Sequence, residues 1–244
     1  MATHIFYAPH ADDETLSMSA AILEKIREGA AVYVVLLTDG AADETIYFLN
    51  GVHKCPIHDR YHNPREEAYQ DGVLSIQAFI DARIREFRTA VKSLGIPDEN
   101  IAVYSFPDQY LQAEDMRKIV LRNEHDERLS QPVYHHTLSY KVDDHHDHLV
   151  AGGTLLELYN QHQISTLPTW YIKRPMWNRV SPDMQIREHT ADKDKERGII
   201  TETCNSAYKR FEPDIGYYAI GYHSAHRSFE GILKDFSSKS HSLL

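Results

Sequence analysis

The sequence predicts an α/β fold built on a mostly parallel sheet, and three observations carry that reading. Short apolar runs alternate with stretches of helical periodicity, the order expected of strand–helix–strand units. The run Ala31-Val32-Tyr33-Val34-Val35-Leu36-Leu37 is apolar and rich in β-branched residues, as in a strand buried on both faces. Four strand ends then carry carboxylates or imidazoles: His10, Asp12 and Asp13; Asp39; Asp108; and the packet 143–148. Ligands of a parallel sheet gather beyond the carboxyl ends of its strands, so these residues fall on one face.

Residues 4–8 read as the first strand. Residues 14–28 read as one helix with Leu16, Leu23 and Ile26 inward, Ala20 and Ile22 beside them, and Gly29 as its C-cap. The strand from Ala31 to Leu37 follows, with Thr38-Asp39-Gly40 as its turn. From about Asp43 to Gly72 the pattern is irregular; a loop of that length is either a lid over a site or a surface excursion. Ile80, Ile84, Phe87, Val91 and Leu94 then mark one buried helical face, closed by Gly95 and Pro97. A third strand spans 101–106, a helix 113–123, a fourth strand Gln131 to Thr137, and a further helix Leu149 to Tyr159. Thr169 to Ile172 is a late strand, Asp192 to Arg210 a charged helix expected to be exposed, and the tail from Ser237 is expected to fray. No repeat or linker interrupts the chain, so residues 1–244 are expected to form a single domain.

Hydrophobic content of 42% and charged content of 25% are ordinary for a globular protein. A net charge of −10 argues against nucleic acid or an anionic membrane as partner. Cys55 and Cys204 form no CxxC pair and read as two unpaired thiols of a reducing compartment. No stretch is long and apolar enough to span a bilayer, and Met1-Ala2-Thr3-His4 lacks signal-peptide regions, so a cytoplasmic protein without a membrane anchor is expected. Oligomeric state has no signature here.

Sixteen histidines are many for this length, and they cluster. Ala8-Pro9-His10-Ala11-Asp12-Asp13-Glu14 places an imidazole and two carboxylates on one short turn, and Asp143-Asp144-His145-His146-Asp147-His148 supplies the same donor types again. Imidazole and carboxylate are good ligands for zinc or another divalent metal, and a catalytic zinc needs three protein ligands with a position left for water. Adjacent Asp12 and Asp13 diverge, so one can ligate while the other serves as general base. The alternative is that both cap the following helix. His53, His58, His62, His135 and His136 read as structural or loop residues, and Tyr218 to Ser224 as a core strand with a satisfied histidine, or else a cluster closing over the site.

Ala8-Pro9-His10-Ala11-Asp12-Asp13-Glu14-Thr15-Leu16 resembles the Pro-His-Pro-Asp-Asp-Glu signature of the LmbE/PIG-L family of zinc-dependent de-N-acetylases. Leu37-Thr38-Asp39-Gly40, Arg83-x-x-Glu86 with Leu94-Gly95, Phe106-Pro107-Asp108 and His145-x-Asp147-His148 resemble that family's later motifs, in order, over about the first 155 residues. The chain departs at Ala11 and His146, where the family has proline; His146 adds a possible competing ligand.

The resemblance implies a Rossmann-like fold and a hydrolase that removes an N-acetyl group from an amino sugar or related small glycoside. It implies His10, Asp13 and His148 as zinc ligands and Asp12 as general base. His145 would polarise the acyl carbonyl, Asp147 would orient a histidine, and Arg83 and Asp108 would bind substrate hydroxyls. Arg83 lies off the Ile84/Phe87/Val91 face and is expected to leave the core. The alternatives are an amidase for a longer acyl group or amino-acid conjugate, and a non-catalytic metal- or carbohydrate-binding module. Retention of Asp12 disfavours the last. The chain has no Gly-x-Ser-x-Gly elbow and no Gly-x-Gly-x-x-Gly turn, which disfavours serine hydrolysis and dinucleotide binding.

Overall fold

The structure is a computed structural model that describes residues 2–191 and 193–243. Its strands are β1 (Thr3–Ala8), β2 (Ala31–Thr38), β3 (Ile101–Phe106), β4 (Val133–Leu138), β5 (Thr169–Ile172), β6 (Ile186–Thr190), β7 (Phe211–Glu212), β8 (Tyr217–Tyr218) and β9 (Ser237–His241). Its helices are α1 (Asp13–Leu16), α2 (Ser19–Arg27), α3 (Thr45–Leu49), α4 (Ile76–Ser93), α5 (Ala113–Glu124), α6 (His146–Asn160), α7 (Lys193–Thr203) and α8 (Ile220–Ile232).

Seven strands form one sheet in the order β3-β2-β1-β4-β5-β9-β6, with β7 and β8 a separate pair. The pairings among β1 to β5 are all parallel, and β9 runs antiparallel to both β5 and β6. Chain order reverses between β1 and β4, and ligands of such sheets settle in the crevice at that switch point. Both histidine-bearing loops leave the sheet there.

Alternating residues of the central strands feed two cores, as a strand's period of two requires. Phe6, Val34 and Leu36 pack with Phe87 and Val91 of α4 and Ile22 of α2 on one face. Ile5, Tyr7, Val35 and Leu37 pack with Met116 of α5 and Leu155 of α6 on the other. A third cluster joins Leu49, Tyr69 and Leu74 to Phe79 of α4 and to Tyr218 and Ile220, so the irregular segment after β2 has a small core of its own.

Several elements depart from expectation. The helix expected over 14–28 is broken at Ser17-Met18 into α1 and α2, and Met18 is fully buried at the break. Helix α6 begins at His146, three residues before the expected start, so the second histidine packet straddles its N-terminus. The helix expected to be exposed from 192 buries Ile200, then turns through Cys204–Tyr208 with Cys204, Ala207 and Tyr208 also buried. Asp192 itself lies outside the described residues. The tail does not fray: β9 is a buried inner strand whose Ser240 and His241 pair with both neighbours. Such a serine-rich strand has no apolar signal to announce it. Among the described residues, no helix is long and apolar enough to cross a membrane.

Candidate active site

The turn after β1 is held from several sides. Thr38 donates to the Pro9 carbonyl through its backbone N–H (3.1 Å) and its hydroxyl (2.7 Å). Asp12 sits at φ 108°, in the left-handed region that a side chain disfavours. Buried Glu14 stabilises that backbone by accepting the Asp12 N–H at 3.1 Å, while the hydroxyls of Thr15 and Tyr208 donate to its other oxygen, each at 2.6 Å. The Asp12 side chain makes no capping hydrogen bond to α1, so it is left for another partner. That partner is Arg83, whose Nη2 donates to the Ala11 carbonyl (2.5 Å) and lies 3.4 Å from Asp12 Oδ2.

Three donor atoms converge beside this turn. His10 Nδ1 and His148 Nε2 are 2.9 Å apart, and Asp13 Oδ2 lies 3.5 Å from the first and 3.2 Å from the second. Zinc bonds of about 2.0–2.2 Å to N and O ligands put neighbouring ligands roughly 3.3 Å apart in a tetrahedron, so the three fit one ion. The other ring nitrogens are held as metal-binding histidines usually are. His10 Nε2 meets Asp147 Oδ2 at 3.1 Å, and His148 Nδ1 meets Asp143 Oδ2 at 2.9 Å. Asp147 is fixed in turn by the N–H groups of Gln109 (2.8 Å) and Leu111 (3.1 Å), and Asp143 by that of His145 (3.1 Å). His10, Asp108, His145 and Asp147 form an overlapping group of donors, with Asp108 Oδ1 3.2 Å from His10 Nε2.

Electrostatics separate the two adjacent carboxylates. Burial opposes charge on Asp13, yet His148 and His10 outweigh it and hold Asp13 well below the usual carboxylate range. Burial pushes Asp12 up to about 6, against the pull of the Arg83 guanidinium and with a push from Asp13. Burial works against a charge on His10, but Asp108, Asp13 and Asp147 raise it well above the ordinary value. His145 is pushed down to about 4 by burial and by His10 and His148. One carboxylate is thus a committed anion, the other a proton acceptor poised near neutrality, and His145 a neutral donor.

These groups line a cleft of about 440 Å³, within the range of small-ligand sites. His10, Asp12, Asp13, Arg83, Asp108 and His145 face it, opposite Lys173, Arg174 and residues 224–228 of α8. Asp147 and His148 are fully buried behind it.

Arg83 does not leave the core as its place on α4 suggests: it is buried, and so is Glu86, an ion-pair partner at 3.6 Å. Glu86 takes up the N–H groups of Ile220 (2.6 Å) and Gly221 (3.0 Å), which ties α4 to the start of α8. Arg83 Nε and Nη1 have no hydrogen-bond partner. His146 belongs to neither group of donors; its ring meets the Leu111 carbonyl at 3.2 Å. Of the segment after β2, Gly40, Ala42 and Asp43 line the cleft. The stretch from Tyr218 to Ser224 is a strand only at Tyr218, the end of β8; from Ile220 it opens α8, Ser224 faces the cleft, and His223 Nε2 is buried without a partner.

Sequence reasoning missed Asp143, Glu14 and Tyr208, and the contribution of 224–228. Glu14 stood inside the first motif, but its burial had no signal. Asp143 was legible only as one acid among several.

The family described as PIG-L: GlcNAc-PI de-N-acetylase matches residues 5–159. No curated protein matches the chain significantly by sequence. Among solved structures, a triple mutant of a deacetylase from the teicoplanin biosynthetic pathway is 16% identical with a TM-score of 0.59, covering 99% of this chain and 98% of its own. N,N'-diacetylchitobiose deacetylase from Pyrococcus horikoshii is 15% identical with a TM-score of 0.57, over 94% and 76%. A 4-carboxy-2-hydroxymuconate hydratase from Pseudomonas putida KT2440 is 16% identical with a TM-score of 0.58, over 100% and 97%. At these identities the likeness is one of fold, and the fold alone serves more than one chemistry.

Proposed function

The chain belongs to the PIG-L family of de-N-acetylases, and from that premise we propose that it hydrolyses the N-acetyl group of an amino sugar or related small soluble glycoside. The observation that carries this reading is the convergence of His10, Asp13 and His148 donor atoms within 3.5 Å of one another beside a carboxylate poised near pH 6.

His10, Asp13 and His148 would hold zinc or a similar divalent ion, with Asp147 and Asp143 orienting the two imidazoles. Bound there, such an ion supplies Lewis acidity and a water that ionises near neutral pH. Asp12 accepts the proton of the attacking water, a task suited to a base whose pKa lies near the working pH. His145, neutral, donates a hydrogen bond to the acyl oxygen as charge builds on it. Protonated Asp12 then returns its proton to the departing amine. Asp108, at the cleft wall with Oδ1 3.2 Å from His10 Nε2, would accept from a sugar hydroxyl through its carboxylate. Arg83, at the cleft wall, holds Asp12 through Nη2 and would meet a substrate hydroxyl there. The acidic charge of the chain and the size of the cleft support a soluble glycoside over a membrane glycolipid, and a cytoplasmic setting fits that substrate.

The test is amine release from a panel of N-acetylated amino sugars, with and without chelator. Release that a chelator abolishes is expected. Asp12→Ala should keep its metal and lose turnover by roughly 10²–10⁴-fold, the usual worth of a general base. His148→Ala should lose metal. Chelator-resistant turnover, or full activity in Asp12→Ala, overturns the assignment.

A further inference from the structure

Away from the cleft, one thiol and three imidazoles meet in the irregular segment after β2. Cys55 Sγ lies 3.6 Å from His58 Nδ1, and His58 Nδ1 lies 3.4 Å from His62 Nε2. The fourth member is His223, from the start of α8, and one donor atom of each residue lies within 4.8 Å of all the others. The three rings surround a common point, with centroids 5.2–5.3 Å apart. Cys55, His62 and His223 are buried; His58 forms the exposed rim.

The protons of this cluster can be assigned. His62 Nδ1 faces Glu67 Oε2 at 2.9 Å, and His223 Nδ1 faces the Ala219 carbonyl at 2.7 Å. A carboxylate and a carbonyl only accept, so both Nδ1 atoms carry hydrogen. Their Nε2 atoms therefore face inward: that of His62 meets His58 Nδ1 at 3.4 Å, and that of His223 has no hydrogen-bond partner. A buried acceptor left without a donor is costly unless something electron-poor sits beside it.

We propose that Cys55, His58, His62 and His223 form a second metal centre, a four-ligand zinc site that fastens the segment after β2 to the start of α8. Zinc–sulfur bonds of about 2.3 Å and zinc–nitrogen bonds of about 2.0–2.1 Å give tetrahedral edges of roughly 3.5 Å for S···N and 3.3 Å for N···N, close to the separations seen. Glu67 and Ala219 supply the outer hydrogen bonds that zinc-binding imidazoles keep. One thiolate and three imidazoles fill a tetrahedron, so the centre is closed and structural, unlike a catalytic site with a position left for water. The chain comes close here: a Cβ on Gly51, at φ +69°, would collide with the His62 carbonyl. The cleft-wall residues 224–228 follow His223 directly along α8, which kinks at Ala225, so this zinc would also anchor the start of that wall.

Cobalt(II) is the probe. Chelator-treated protein refilled with cobalt should show a sulfur-to-cobalt charge-transfer band in the near ultraviolet, worth one equivalent. The band should persist in His148→Ala and vanish in Cys55→Ser; the other thiol, Cys204, lies buried in the main core and outside the cluster. Zinc content of the purified protein should fall by one equivalent in His223→Gln. Absence of the band in the unaltered protein, its survival without Cys55, or unchanged zinc in His223→Gln each overturns the site. His148→Ala that loses turnover while keeping the band separates this centre from the catalytic one.

Discussion

Replacing Arg83 by Met should move the acidic limb of the pH–activity profile towards alkaline pH. Arg83 Nη2 lies 3.4 Å from Asp12 Oδ2, and its charge is the largest influence drawing the Asp12 pKa down against burial, to about 6. A guanidinium beside a carboxylate typically lowers its pKa by about 1–3 units, so its loss should carry Asp12 to roughly 7–9. A raised pKa means that the base form exists only at higher pH. At pH 7 the ionised fraction falls from about 0.9 to between roughly 0.5 and 0.01, so kcat should drop about 2- to 90-fold and recover at alkaline pH. Removing the cation also strands buried Glu86, 3.6 Å from Nη1. Breaking a buried pair costs about 3–5 kcal/mol, so Arg83→Met is best made with Glu86→Gln and compared with Glu86→Gln alone. The assay is kcat and KM from pH 5 to 10 on the best substrate of the panel. A raised KM with the acidic limb unmoved would sink the idea that Arg83 tunes the base and leave it a substrate contact only.

Two predictions concern the frame around the site. Gly152→Ala places a Cβ 2.7 Å from the Leu138 carbonyl and 2.9 Å from the Tyr140 nitrogen, both backbone atoms at the exit of β4; overpacking of that kind should cost about 1–3 kcal/mol, read as a lower urea midpoint, and an unchanged midpoint refutes it. Burial depresses His4 to about 4 and His136 well below its ordinary 6.5. Depressed imidazoles bind more protons unfolded than folded, so their stabilisation is complete above about pH 6.5 and fades as pH falls towards 4; melting temperature should drop over that window, less steeply in His136→Gln, and an equal slope in the variant counts against it.

How much of this was legible follows from what each residue answers to. Strands β1, β2 and β5 lie within a residue of where the sequence places them, because a two-sided burial demand writes itself as an apolar run, and edge strand β3 is placed as well although only Ile101 in it is buried. Chemistry-bearing loops were visible because unusual donors such as His10, Asp13 and His148 crowd short stretches. Arg83 was misplaced because its ion-pair partner Glu86 is buried with it, held by backbone N–H groups of α8 that lie 134 and 135 positions away. Strand β9 escaped because Ser237-Ser238-Lys239-Ser240-His241 is held by hydrogen bonds and position rather than by apolar side chains. Cys55, His58 and His62 were read as bland because the fourth member, His223, arrives from the other end of the chain.

The placement of β9 has a consequence for biogenesis. Edge strand β6 joins the sheet only through β9, yet Thr190 precedes Ser237 by 47 positions. At a ribosome adding about 5–20 residues per second, roughly 2–9 seconds pass in which the flank of β5 stands open and β6 waits unpaired. Bare strand flanks are where chains stick to one another, so this nascent polypeptide should depend on helper proteins, or on slow dilute synthesis, more than its finished form suggests.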